Sequence, residues 1–437
     1  MSKLALHGSL FFLKDDPFLN PPAECAVYEP DGVIVMEAGK IAAVGSAAEI
    51  LPSLAQDVEI RLHARSILMP GFVDAHIHYP QVEIIGSFGT QLLEWLNKYT
   101  FPTEAKFNDA GHARRIAEFF VAELFRNGTT SASVFCTSAP GSVDAIFAAA
   151  QGRNMLMLAG KMMMDSHAPD ALLDTAQSSY DDSKALIERW HRRGRCLYTV
   201  TPRFALTSSP QQLELAGALM QEFTDVRLQS HISENLAEIA RAKELYPRRA
   251  HYTDIYEHYG LLNERAIYGH GVHLSEAELG RFHETGAKIA HCPTSNFFIG
   301  SGLFDIAKTK AERRPVTAGL GTDVGGGTSF SMLQTMNEAY KMAQLGKISL
   351  TALQSFYLAT LGSAEALGIA DRVGTLHVGH DADIIVLDPY ATPLLALRSE
   401  VAESFEELLF ALMICADDRA IEATYVAGEA VYQRKSA

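Results

Sequence analysis

The chain has 437 residues, 48% of them hydrophobic and 20% charged, the balance of an ordinary globular protein too long for one small core. A net charge of -15 argues against nucleic acid or an anionic membrane as the main partner, because both favour a basic surface. The five cysteines are scattered and contain no C-x-x-C pair, which argues against a disulfide framework or zinc knuckle and fits a reducing, cytoplasmic setting.

The N-terminus, "MSKLALHGSLFFLKDDP", lacks the apolar core and cleavage site of a signal peptide. Residues 1–68 read as short strands and turns: "LALHGSLFFL", a hairpin through "EAGKIAAVG", and "VEIRLHARSILMP". From residue 69 to 372 short apolar strands alternate with segments of helical period. The strands are "GFVDAHIH", "TTSASVF", "MLMLAGKMM", "CLYTVTPRF", "VRLQSHIS", "AIYGHGV", "KIAHCPTS" and "VTAGLGTD". Of the helices, "ARRIAEFFVAELFRNG" is representative, with Ile116, Phe119, Phe120 and Leu124 in period and Asn127-Gly128 as the stop. Residues 373–437 return to strands, "GTLHVGHDADIIVLDP" and "IEATYVAGEAVYQ". The reading is a (β/α)₈ barrel with a small β-sandwich domain built from both chain ends.

Barrel active sites sit at the C-terminal ends of the strands. Those ends carry His76 and His78 on the first strand, His231 on the fifth, His270 on the sixth and Asp323 on the eighth. His76 and His78, two residues apart, share one face of a strand. Three histidines with an aspartate suit zinc or ferrous iron, and zinc suits hydrolysis because it is redox-inert. Such a metal lowers the pKa of bound water from about 15.7 to about 7. Asp323 can take that water's proton, His270 can orient it, and Glu234, three residues after His231, can shuttle a proton to a ring nitrogen. His167 also follows a strand end. Cys292 is read as structural, and "GGGTS" as a turn after Asp323, since it lacks the phosphate-loop pattern.

In this order, "PGFVDAHIH", "SHISEN", "GHGVHL", "AHCPTSN" and "GLGTD" resemble the metal-dependent amidohydrolase superfamily, and the likeness extends through "DADIIVLD" near the C-terminus. The finer segments "HIHYPQ", "LLEWLNKYTFPTE", "TPRFALTSS", "QSHISEN" and "GTDVGGGTSFSMLQTM" resemble its guanine deaminase branch. The resemblance implies zinc held by His76, His78, His231 and Asp323, catalysis by Glu234 assisted by His270 and Asp323, and guanine held by Gln81 and the Arg203-Phe204 pair. It also implies a homodimer. Two-metal relatives bridge their ions with a lysine on the fourth strand; "CLYTVTPRF" has none, so one zinc ion per subunit is expected.

The chemistry of these residues suits a flat, polar base. Gln81 offers a donor and an acceptor, Arg203 a fork of donors, and Phe204 a stacking face. Residues 79–107 are long for a connection after a strand and carry Trp95, which is expected to help cover the substrate beside His231 and Glu234. Another aminated purine, a pterin or a triazine would use the same chemistry. Hydrolysis of an amide ring and a catalytically dead scaffold fit less well, because the bridging lysine is missing and every ligand is present.

Overall fold

The computed structural model describes residues 3–89 and 91–435. Eight parallel strands follow one another around a barrel: Phe72–His78, Thr129–Phe135, Leu156–Gly160, Cys196–Pro202, Arg227–Ile232, Ala266–His270, Lys288–His291 and Ala318–Leu320. The first and eighth strands meet at a seam. There the Asp323 N–H donates to His76 O at 2.9 Å, and the Thr322 N–H donates to Asp74 Oδ1 at 3.1 Å.

Two strands are shorter than their apolar runs suggest. The seventh ends at His291, and the "PTS" that follows begins the helix Pro293–Phe298. A proline has no N–H to add to a sheet but fits the first turn of a helix. The eighth keeps only Ala318–Leu320 before the chain turns outward.

The helix Ala110–Arg126 starts where the Asp109 carboxylate accepts the His112 N–H at 2.7 Å. It buries Ile116, Phe120 and Leu124 but leaves Phe119 50% exposed, so the stripe that faces the barrel excludes Phe119. It ends at Asn127, with Gly128 at φ +77°.

Both chain ends build one seven-stranded sheet, with Lys40–Ser46 at one edge and Glu429–Gln433 at the other. Leu4–Leu13 pairs in parallel with Glu59–Pro70, and the other neighbours are antiparallel. Leu6, Ile34, Leu68, Ile384 and Val386 pack together as the apolar core of this small β-domain. Ile385 and Leu387 alternate to the other face and join the barrel's core. Arg195 grips Asp383 through two bonds of 3.0 and 2.7 Å, tying this sheet to the barrel.

The C-terminal segment is not purely strands. The helices Pro393–Glu400 and Phe405–Cys415 interrupt it, and Leu409, Leu412 and Met413 join the same apolar core as Met332 and Met336. Strand signals at both ends of this segment mask the helical period between them. Among the described residues no helix is long and apolar enough to cross a membrane.

Candidate active site and metal centre

The strand ends open into a small pocket. His78, Gln81, Arg203, His231, Glu234 and Asp323 line it.

The predicted metal ligands do converge. His78 Nε2 approaches His231 Nε2 to 3.1 Å, and Asp323 Oδ1 stands 3.5 Å from both His76 Nε2 and His78 Nε2. Tetrahedral coordination with bonds of about 2.0–2.1 Å needs ligand atoms about 3.3 Å apart, and these three pairs stand near that distance. His76, His78 and His231 gather their nitrogens within 4.8 Å, and Asp323 gathers with His76 and His270. His231 Nδ1 donates to Arg203 O at 2.7 Å, which turns the lone pair of Nε2 toward the other ligands. His76 Nε2 has no hydrogen-bond partner among the described residues. Burial holds all three histidines below the ordinary histidine pKa, and thus in the neutral form that ligates. Together these features fit a divalent metal. Phe135 packs against the rings of His76, His78 and His231 at 4.6–4.7 Å and keeps the centre dry on one side.

Gly269 explains how His76 fits inside the barrel. A Cβ at that position would lie 2.4 Å from His76 Cε1. Lys161 lies outside the cluster, in a buried ion pair with Asp174, and the fourth strand carries no lysine.

Glu234, His270 and Asp323 lie side by side in the pocket lining. His270 Nε2 is 3.5 Å from Glu234 Oε2 and 3.8 Å from Asp323 Oδ2. Ser301 Oγ donates to Glu234 Oε1 at 2.9 Å, and His270 Nδ1 donates to Asn296 Oδ1 at 3.0 Å. Burial raises the Glu234 pKa, and the neighbouring His270 only partly offsets it. Burial opposes charge on His270, but Glu234 and Asp323 outweigh it and hold that pKa above the ordinary value. Ser233, His270 and Asp323 have φ of 49°, 71° and 48°, a left-handed conformation rare outside glycine. Strain of this kind is typical where a strand must re-aim a functional side chain.

Gln81, Trp95, Arg203 and Phe204 also line the pocket, as expected. Tyr79–Ile84 and the pieces from Leu92 to Asn108 form short helical turns rather than an open loop, and Leu92, Trp95 and Leu96 reach the pocket. Trp95 is 2% exposed, and its indole N–H lacks a partner among the described residues. His167 is exposed and does not line the pocket.

Five residues contribute more to the site than a reading by motif assigns them. Glu104 is fully buried between Gln81 and Arg203. Ser301, from a loop, holds Glu234, and Asn296, from the short helix Pro293–Phe298, holds His270. Asp74 shares the strand face of His76 and His78, a signal the alternation does contain. Cys292, beyond its structural reading, places its sulfur within 4.8 Å of ligand atoms on His76, His270 and Asp323. Burial, with Asp323 adding to it, pushes its thiol pKa well up, so it stays protonated.

Residues 67–431 match the amidohydrolase family. The guanine deaminase of Escherichia coli (strain K12) is 50% identical over 92% of this chain and 92% of its own length. A solved structure of the E. coli guanine deaminase superposes with a TM-score of 0.96, at 48% identity, over 99% of this chain and 100% of that one. A guanine deaminase from C. acetobutylicum, solved with guanine bound in its active site, superposes with a TM-score of 0.88 at 28% identity, over 99% of this chain and 100% of that one. The chain belongs to the amidohydrolase family and, within it, to the guanine deaminases.

Proposed function

We infer that this protein hydrolyses guanine to xanthine and ammonia, as a zinc enzyme with one ion per subunit. The observation that carries the reading is the pocket in which Glu234, His270 and Asp323 meet a wall of Gln81, Arg203 and Phe204. Its weight comes from the chain's 50% identity to a guanine deaminase.

His76, His78, His231 and Asp323 would hold the ion, whose Lewis acidity brings the ionisation of water near neutral pH. Gln81 and Arg203 hold the base by its polar edge, and Phe204 offers a ring face. Asp323 accepts a proton from the attacking water, and His270 orients that water from the opposite side of the carboxylate. Glu234 delivers a proton to the ring nitrogen next to the attacked carbon. The carbon–oxygen bond forms and the carbon–nitrogen bond breaks. The water's two protons end on the ring nitrogen and on the departing amine, which leaves as ammonia. Glu234 suits this transfer because Ser301 fixes one oxygen while the other faces His270. The same reading takes the enzyme as a cytoplasmic homodimer, which sedimentation velocity checks.

The test is ammonia release from guanine, with adenine, cytosine and a pterin in parallel, before and after chelation and zinc repletion. Zinc-dependent release from guanine alone is the expected result. Release from another base would overturn the roles of Gln81, Arg203 and Phe204. Release that survives complete removal of metal would overturn the chemistry.

A further inference from the structure

Glu104 sits on the short helix Phe101–Glu104, in the segment that covers the pocket, and is fully buried. Its Oε1 accepts a hydrogen bond from Gln81 Nε2 at 3.0 Å, and its Oε2 accepts one from Arg203 Nη1 at 2.6 Å. It touches both polar side chains expected to hold the base, yet it does not line the pocket itself.

A carboxylate paired with a guanidinium can only accept hydrogen bonds. Gln81 must therefore turn its NH₂ group toward Glu104 and its oxygen away. That oxygen lies against Gly325, where a Cβ would come within 2.3 Å of it, and it has no protein donor among the described residues. Arg203 is fixed as firmly. Nη1 is committed to Glu104 and lies 2.9 Å from Met162 Sδ, while the guanidinium carbon sits 5.2 Å above the Phe101 ring. The remaining guanidinium donors are left for a ligand.

We propose that Glu104 is a positioning residue that sets the hydrogen-bond polarity of the base pocket: it presents Gln81 as an acceptor and Arg203 as a donor, and so selects a heterocycle with a ring N–H beside a carbonyl oxygen or ring nitrogen. The inference rests on the guanine reading above. A site built this way rejects a base lacking the matching N–H, because the Gln81 oxygen is left buried and unpaired. Without the carboxylate, nothing prevents the Gln81 amide from turning over.

The experiment compares the wild type with Glu104→Gln, a near-isosteric change whose amide can either donate or accept. Inhibition constants are measured for 2-aminopurine, which lacks the six-membered ring's N–H and carbonyl, and for 9-methylguanine, which lacks the five-membered ring's N–H. Each is referred to the KM for guanine, with metal content and Tm as controls. For the analogue missing the N–H that Gln81 receives, discrimination is expected to shrink about tenfold or more. The expected change lies mainly in KM, with metal content retained. If neither ratio moves in folded, metal-loaded Glu104→Gln, the proposal is overturned. If Glu104→Gln does not fold, Glu104→Asp serves, since it keeps the charge beside Arg203 but falls short of Gln81. The same narrowing is expected, and an unchanged ratio overturns the proposal. Absence of guanine turnover by the wild type would instead overturn the substrate reading, and this inference with it.

Discussion

Asp74 Oδ2 accepts the Thr322 hydroxyl at 2.5 Å, joining residues 248 positions apart in the chain. The bond fixes the first strand, which carries His76 and His78, against the turn that carries Asp323. Asp74 also accepts the His76 N–H at 3.1 Å.

Removing Asp74 should loosen the metal centre without touching a ligand. Asp74→Ala is expected to lower metal affinity about 10–100-fold, the usual cost of losing a residue that orients ligands. Competition with a chelator of known affinity measures it. A wild-type affinity in the variant would show that the seam is held by other contacts.

Glu234→Gln keeps the size of the side chain and can still accept from Ser301, but it cannot carry a proton. Turnover of guanine should fall about 10²–10⁴-fold with metal content unchanged. Elemental analysis alongside steady-state kinetics separates this from loss of the ion, and a wild-type rate with full metal would remove Glu234 from the mechanism.

Trp95 has a buried N–H with no partner among the described residues. If that donor is completed by substrate, Trp95→Phe should raise the KM for guanine about 2–10-fold, the worth of one hydrogen bond. The larger Trp95→Ala change would also open a cavity and is a poorer test. An unchanged KM and kcat would leave Trp95 a purely packing role.

Glu238 gives a signed dependence of stability on pH. Its Oε2 accepts the Glu234 and Asn235 N–H groups at 2.7 and 3.1 Å. Burial, with Glu234 adding to it, raises its pKa from 4.5 to about 7. A carboxyl raised on folding contributes stability that is full below pH 4.5 and is lost as pH climbs through about 7. The contribution lost over that window is on the order of 3 kcal/mol. Urea unfolding at pH 5 and pH 8 should show the wild type losing stability toward pH 8 and Glu238→Gln losing less. Equal slopes would mean that Glu238 titrates as it does in the unfolded chain.

Much of the fold was legible because its signals are local. Eight apolar runs separated by helical stretches define a parallel barrel, and the spacing of His76 and His78 puts both on one face whatever lies around them. The two C-terminal helices were hidden because strand periods flank them. The seventh and eighth strands are shorter than their apolar runs, because an apolar run does not say where pairing stops.

The sequence by itself therefore determined the barrel, the order of its strands and the ligand types at their ends, since alternation and residue chemistry are properties of the chain alone. Only the tertiary structure decided how those ends are aimed and held. Strand alternation would send His231 and Glu234 to opposite faces, and the left-handed turn at Ser233 brings both into one pocket. Glu104 meets Arg203 across 99 residues and Asp74 meets Thr322 across 248, through contacts that exist only once the barrel has closed. Hydrogen bonds of that kind depend on distance and angle in space, for which separation along the chain carries no signal.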